Sequence, residues 1–102
     1  MSSFAIGRVV PIEEFLISGK NKKHEFNRIV KKYDKLYISF MGRNNIKKAL
    51  FVGVVVDNNI DNLTDVLRYN YDRLKIDMAC EDLEQSLELN YSFESYGVFQ
   101  FN

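Results

Sequence analysis

The chain has 102 residues, 46% of them hydrophobic and 27% charged, and its formal net charge at pH 7 is zero. That length suits one domain, and the apolar content, with one Pro and five Gly, excludes a disordered or low-complexity chain. Cys80 is the one cysteine, which excludes an intramolecular disulfide scaffold, and the longest strongly apolar run, residues 49–56, is far short of the roughly 20 residues of a bilayer span.

Residues 3–10 read as a first strand, with β-branched residues near its end. Arg8 interrupts the apolar start, so no signal-peptide core forms. With a lone cysteine, this makes a reducing, cytoplasmic location the expectation. Pro11 followed by Glu13 and Glu14 is a helix-start signal, and Gly19 stops that short turn. Over 22–33, Phe26, Ile29, Val30 and Tyr33 fall at i, i+3, i+4 and i+7, the stripe of an amphipathic helix. Residues 36–41 read as a strand, and Gly42, Arg43, Asn44 and Asn45 carry turn chemistry. Residues 49–56 form a strand apolar on both faces, as expected at the centre of a sheet or in an oligomer contact.

Asp57, Asn58 and Asn59 break that strand, and Asp61 or Asn62 is a good N-cap for a second helix over 61–74. Leu74, Ile76, Met78 and Cys80 then alternate with Lys75, Asp77 and Ala79, which predicts a strand. Leu87, Leu89, Tyr91 and Phe93 alternate with polar neighbours and predict another strand over 86–93, with a helix over 81–89 as the competing reading. Residues 94–97 would turn that strand and 98–101 return as a hairpin arm. The predicted class is α+β: a single domain with a mainly antiparallel sheet and two helices in the order β-α-β-β-α-β, ferredoxin-like in outline, plus a C-terminal β-hairpin.

The zero net charge hides an asymmetry. Residues 1–56 carry eleven cations against four anions, and residues 57–102 carry three against ten. This predicts either a basic and an acidic surface or basic and acidic elements neutralising one another inside the molecule.

Chemistry has few candidates. His24 is the one histidine and sits in a basic, solvated stretch, while Cys80 ends an apolar series where a free thiol behaves as a small buried hydrophobe. A Cys80–His24 pair would require an exposed thiol of lowered pKa. Asp57, Asn59, Asp61 and Asp65 match part of a calcium loop, but Asn62 replaces its glycine and Arg68 its bidentate glutamate. No phosphate-binding glycine motif is present, so no cofactor, metal or catalytic residue is expected.

The expected function is therefore non-enzymatic: a small protein-binding module. It would be an inhibitor, an immunity protein or a phage or mobile-element anti-defence protein that occludes its partner. The partner would present a basic surface, as a nucleic-acid-binding protein does, to acidic residues Asp65, Asp72, Asp77, Glu84, Glu88 and Glu94. Tyr91, Phe93, Tyr96, Phe99 and Phe101 add interface-type aromatics that serve equally as hairpin core. The alternative is nucleic-acid binding through Lys20, Lys22, Lys23, Arg28, Lys31, Lys32, Arg43, Lys47 and Lys48, with bases stacked on Tyr37 or Phe51. Homo-oligomerisation fits either reading, and no membrane partner is expected.

Overall fold

A computed structural model describes residues 3–17, 19–43, 46–56 and 71–101, and among them are four strands and two α-helices. Strand β1 is Ser3–Val10, a 3-10 turn covers Glu14–Ile17, helix α1 is Lys20–Lys32, β2 is Tyr37–Arg43 and β3 is Ile46–Val55. Helix α2 is Arg73–Ser86 and β4 is Gly97–Phe101. The order β-α-β-β-α-β and the α+β class are those predicted. The expected break at 57–59 and the second helix proposed for 61–74 lie largely outside the described residues.

The sheet order is β2-β3-β1-β4, and every neighbouring pair is antiparallel. Strand β2 is consequently parallel to β1 with β3 between them, and β4 is parallel to β3 with β1 between them. Each β-α-β unit is split by a strand of the other, the arrangement expected in outline from the sequence. A bulge between Met41 and Gly42 shifts the β2–β3 register near the hairpin end.

Three predictions are corrected. Residues 74–80 are helix and not strand: Ile76, Ala79, Cys80, Leu83 and Leu87 form one buried stripe at helical spacing. Leu74 and Met78, which complete the apparent alternation, are 69% and 49% exposed. Residues 86–93 are not a strand either. Leu87 caps α2, and Glu88 adopts a positive φ of 52° that no strand residue takes. The C-terminal hairpin is absent as well: β4 pairs with β1, far away in sequence. The competing helix over 81–89 agrees with the structure only as far as Ser86, where α2 ends; the N-cap of α2 is Asp72, with the carboxylate accepting from Lys75 N–H at 3.0 Å.

Both helices cover one face of the sheet. Leu50 and Val52 of β3 and Val10 of β1 meet Ile29 and Tyr33 of α1 and the α2 stripe in one core, with Ile38 and Phe40 of β2 packed against it. A second clasp joins the helices. Tyr33 donates its hydroxyl proton to Asp82 at 2.5 Å, and Lys32 donates to the same carboxylate oxygen at 3.1 Å. The Tyr33 hydrogen bond, and then the Lys32 ammonium, hold the Asp82 carboxyl below the usual carboxylate range. A carboxylate with a depressed folded-state pKa contributes stability above its unfolded pKa of about 3.9 and loses it as pH falls through the folded value. Asp82→Asn should therefore lower the melting temperature by about 4–8 °C at pH 6, for about 1 kcal/mol lost at a partly exposed site. The gap should close toward pH 3. A gap that stays constant with pH would show that Asp82 acts through packing alone.

Candidate docking face

Alternation along each strand sends every second side chain to the face that neither described helix covers. The register gives its composition: Tyr37, Ser39 and Met41 from β2, Ala49, Phe51 and Val55 from β3, Ala5 and Val9 from β1, and Phe99 from β4. None of these side chains is charged. Tyr37 and Val55 are 40% and 44% exposed, while Ser39, Met41, Val9 and Phe99 are half-buried.

The floor of this face is a row of glycines. Gly53, Gly7 and Gly97 stand opposite one another on β3, β1 and β4, with Tyr37 opposite Gly53 on β2. With no side chains on the three glycines, the Phe51 ring lies over Gly7 and Gly53 and is fully buried although neither described helix covers it. Phe99 meets it edge-on at 5.3 Å between centroids, and Tyr37 tilts against it at 6.0 Å. Phe51 is thus the buried floor beneath the face, and Tyr37, Phe99 and Val55 are the groups around it that reach the surface. A glycine inside a strand is a sequence signal for close backbone approach or a bulge. Gly7, Gly53 and Gly97 carried that signal, but only the pairing register puts them in one row.

The acidic residues named from sequence do not make one free surface. Asp65 lies outside the described residues. Asp72 is occupied as the α2 cap, and Glu84 accepts from the Phe93 N–H at 3.2 Å. Asp77 pairs with Arg8 at 3.1 Å, and the Tyr96 hydroxyl lies 2.5 Å from the same carboxylate oxygen and 2.8 Å from the Arg73 carbonyl. Burial first, and then that bond to Asp77, push the Tyr96 hydroxyl above its ordinary range. Arg8 also donates to the Glu94 and Phe93 carbonyls at 2.8 and 3.0 Å, tying the segment before β4 to β1. The side chains of Glu88 and Glu94 are exposed.

The basic residues are also dispersed. Lys32 pairs with Asp82, and Arg28 pairs with Glu25 at 2.9 Å within α1. Lys22 borders a cleft beside Pro11 and Tyr91, Lys23 a cleft beside Phe26 and Phe40, and Lys31 a groove beside β2, so they leave α1 in different directions. Lys48 is exposed on β3, and the side chains of Lys20, Arg43 and Lys47 lie outside those described. Of the C-terminal aromatics, Phe93 is core, Tyr96 packs on the helix side, Phe99 lies on the open face and Tyr91 is exposed.

Cys80 is fully buried on α2, and burial pushes its thiol up to about 12, the opposite of an activated nucleophile. His24 is exposed on α1. Among the described residues no group of three His, Cys, Asp or Glu side chains is placed to hold a metal ion, and no helix is long and apolar enough to cross a membrane. The partial calcium loop at 57–65 lies outside the described residues. Comparison with family models, with curated proteins and with solved structures gives no match, so the functional argument rests on this geometry.

Proposed function

We propose that this protein is a non-enzymatic protein-binding module whose docking surface is the face of its sheet that neither described helix covers. The observation that carries the reading is the composition of that face: no charge among its described side chains, with Tyr37, Phe99, Met41 and Val55 projecting from a floor fixed by Phe51. The centres of protein interfaces are depleted of charge and enriched in Tyr, Phe and Met, and an exposed apolar patch is a mark of an interaction surface. A rigid floor adds to the case, because a preorganised surface loses little entropy on association. The same composition weakens the nucleic-acid alternative, since a base-stacking platform needs cations beside its rings to meet the phosphates. Occlusion of a partner, as by an inhibitor or immunity protein, is the mode of action we attach to this face.

The test is capture of a stoichiometric protein partner by the tagged chain from nuclease-treated lysate of its native cell, with two variants alongside. Val55→Lys places a charge on the face, in the row of Ala5 and Phe99. It should reduce capture of that partner at least about tenfold while the melting temperature moves by only a few degrees. Glu88→Lys with Glu94→Lys reverses two exposed acids and should leave capture unchanged. The opposite pattern would return the site to the acidic surface. Capture that disappears with nuclease would favour nucleic acid, and a dimer of this chain dissociated by Val55→Lys would assign the face to self-association.

A further inference from the structure

Strand β2 is the outermost strand on its side of the sheet, so its outer backbone groups lack a strand partner among the described residues. Helix α1 overhangs that edge. Between them runs a groove of about 770 Å³, floored by Val30 of α1 and Ile38 of β2 and bordered by Tyr37. His24, Asn27, Arg28 and Lys31 recur at three- and four-residue spacing, which sets them along one side of α1, and all four line the groove. Lys31 has no ion pair among the described residues, and Arg28 uses its Nε and Nη2 on Glu25. Asp34 also lines the groove and adds one negative group to this basic wall.

We infer that this groove takes an extended acidic segment of another polypeptide, which adds to β2 as a fifth, outer strand. An unpaired sheet edge supplies main-chain hydrogen bonds, and the pocket beside it reads alternate side chains. Here the pocket combines an apolar floor with a basic wall. The matching segment carries, at every second position, an acid to meet Lys31 and the α1 wall and an apolar residue to rest on Val30 and Ile38. Charge decides against a second copy of this chain. Antiparallel pairing of two β2 edges would bring two α1 helices side by side, each with six Lys or Arg against one Glu. This site is distinct from the open face of the sheet, although Tyr37 borders both.

The probe is a fluorescein-labelled eight-residue peptide repeating Asp-Thr-Val-Thr, titrated with the full chain at low salt and followed by fluorescence anisotropy. It should bind saturably, while the same peptide with Lys for Asp should not. Lys31→Glu, on an exposed helical site, should weaken binding at least about tenfold at unchanged melting temperature. N-methylation of alternate peptide amides should abolish binding, because a strand cannot pair without its N–H groups. Equal affinity of the N-methylated peptide would overturn strand addition, and equal affinity of the Lys31→Glu variant would overturn the groove. An oligothymidylate of the same charge that displaces the peptide and binds more tightly would assign the groove to nucleic acid. Val55→Lys should leave peptide affinity unchanged, so failure here and failure of the open-face reading are separate results.

Discussion

Gly53→Ala should destabilise the protein by about 3 kcal/mol or more and lower its melting temperature by more than about 12 °C. Gly53 and Gly7 face each other across β3 and β1. A methyl group on Gly53 would run into the Ile6 carbonyl oxygen, and would lie 2.8 Å from the Gly7 Cα and 2.6 Å from the Phe51 ring. On Gly7 it would meet the Val52 carbonyl oxygen, with the Gly53 Cα at 2.7 Å and the same ring at 2.8 Å. Two of the three neighbours in each case are backbone, which cannot rotate aside, so the central strand pair must separate. The ring must also leave the trough, and its contacts with Tyr37 and Phe99 go with it. Gly97→Ala meets only the Phe99 ring, at 3.3 Å, and Gly19→Ala meets nothing within 4 Å. The expected ranking of urea midpoints is therefore Gly19→Ala near wild type, Gly97→Ala slightly lower, and Gly7→Ala and Gly53→Ala far below, at a common m-value. A Gly53→Ala protein within about 1 kcal/mol of wild type would mean that the two strands tolerate a wider spacing, and the fixed floor of the docking face would fall with it.

Sequence periodicity located the N-terminal half because its signals agree with one another. In 22–33 the apolar stripe follows one period and the cations sit off it, and Pro11 and Gly19 punctuate the segment before it. In the C-terminal half the signals conflict. Ile76 and Cys80 are four apart and satisfy both a period of two and one of 3.6, and Ala79 is too small to break an apparent alternation. Asp72 was legible as a cap by its residue type, yet Asp61 and Asn62 compete for the same role upstream. Strand neighbours are a tertiary property, so nothing in 97–101 says that β4 lies beside β1. The docking face depends on that pairing. Tyr37 and Phe51 could be named as stacking aromatics, but Phe51 is buried, and the row of Gly53, Gly7 and Gly97 that lets it lie flat exists only once the register is set.

The charge asymmetry takes on a different meaning in three dimensions. The basic helix and the acidic helix lie side by side, and Lys32–Asp82 and Arg8–Asp77 join the positive half of the chain to the negative half. Of the predicted acidic surface Asp77 is spent in this way, while Asp72 caps α2 and Glu84 accepts from the Phe93 N–H. Among the cations left over, Lys31 faces the β2 edge, and Lys22, Lys23 and Lys48 lie elsewhere on the surface. The β2 edge thus has a basic wall beside it while the described side chains of the open face carry no charge, so the two surfaces proposed for binding differ in chemistry.

The second large effect separates helix from strand at the point where sequence reading failed. In a strand, Leu74, Ile76, Met78 and Cys80 would share one face, and truncating any of them would cost comparable stability. In α2, Ile76 is fully buried against the sheet while Leu74 is 69% exposed, two positions away on another side of the helix. Ile76→Ala should cost about 2–5 kcal/mol, the range for a large aliphatic side chain removed from a closed core, whereas Leu74→Ala should stay within about 0.5 kcal/mol of wild type. Asp72→Ala should fall between them at about 1 kcal/mol, through loss of the cap that starts the helix. Urea unfolding of the three variants measures the ranking directly. Equal losses at residues 74 and 76 would restore the strand and remove α2 from the layer that covers the inner face of the sheet. The face proposed for docking could then no longer be told from the covered one. The expected ranking instead fixes which side of the sheet α2 covers, and so which side the docking proposal concerns.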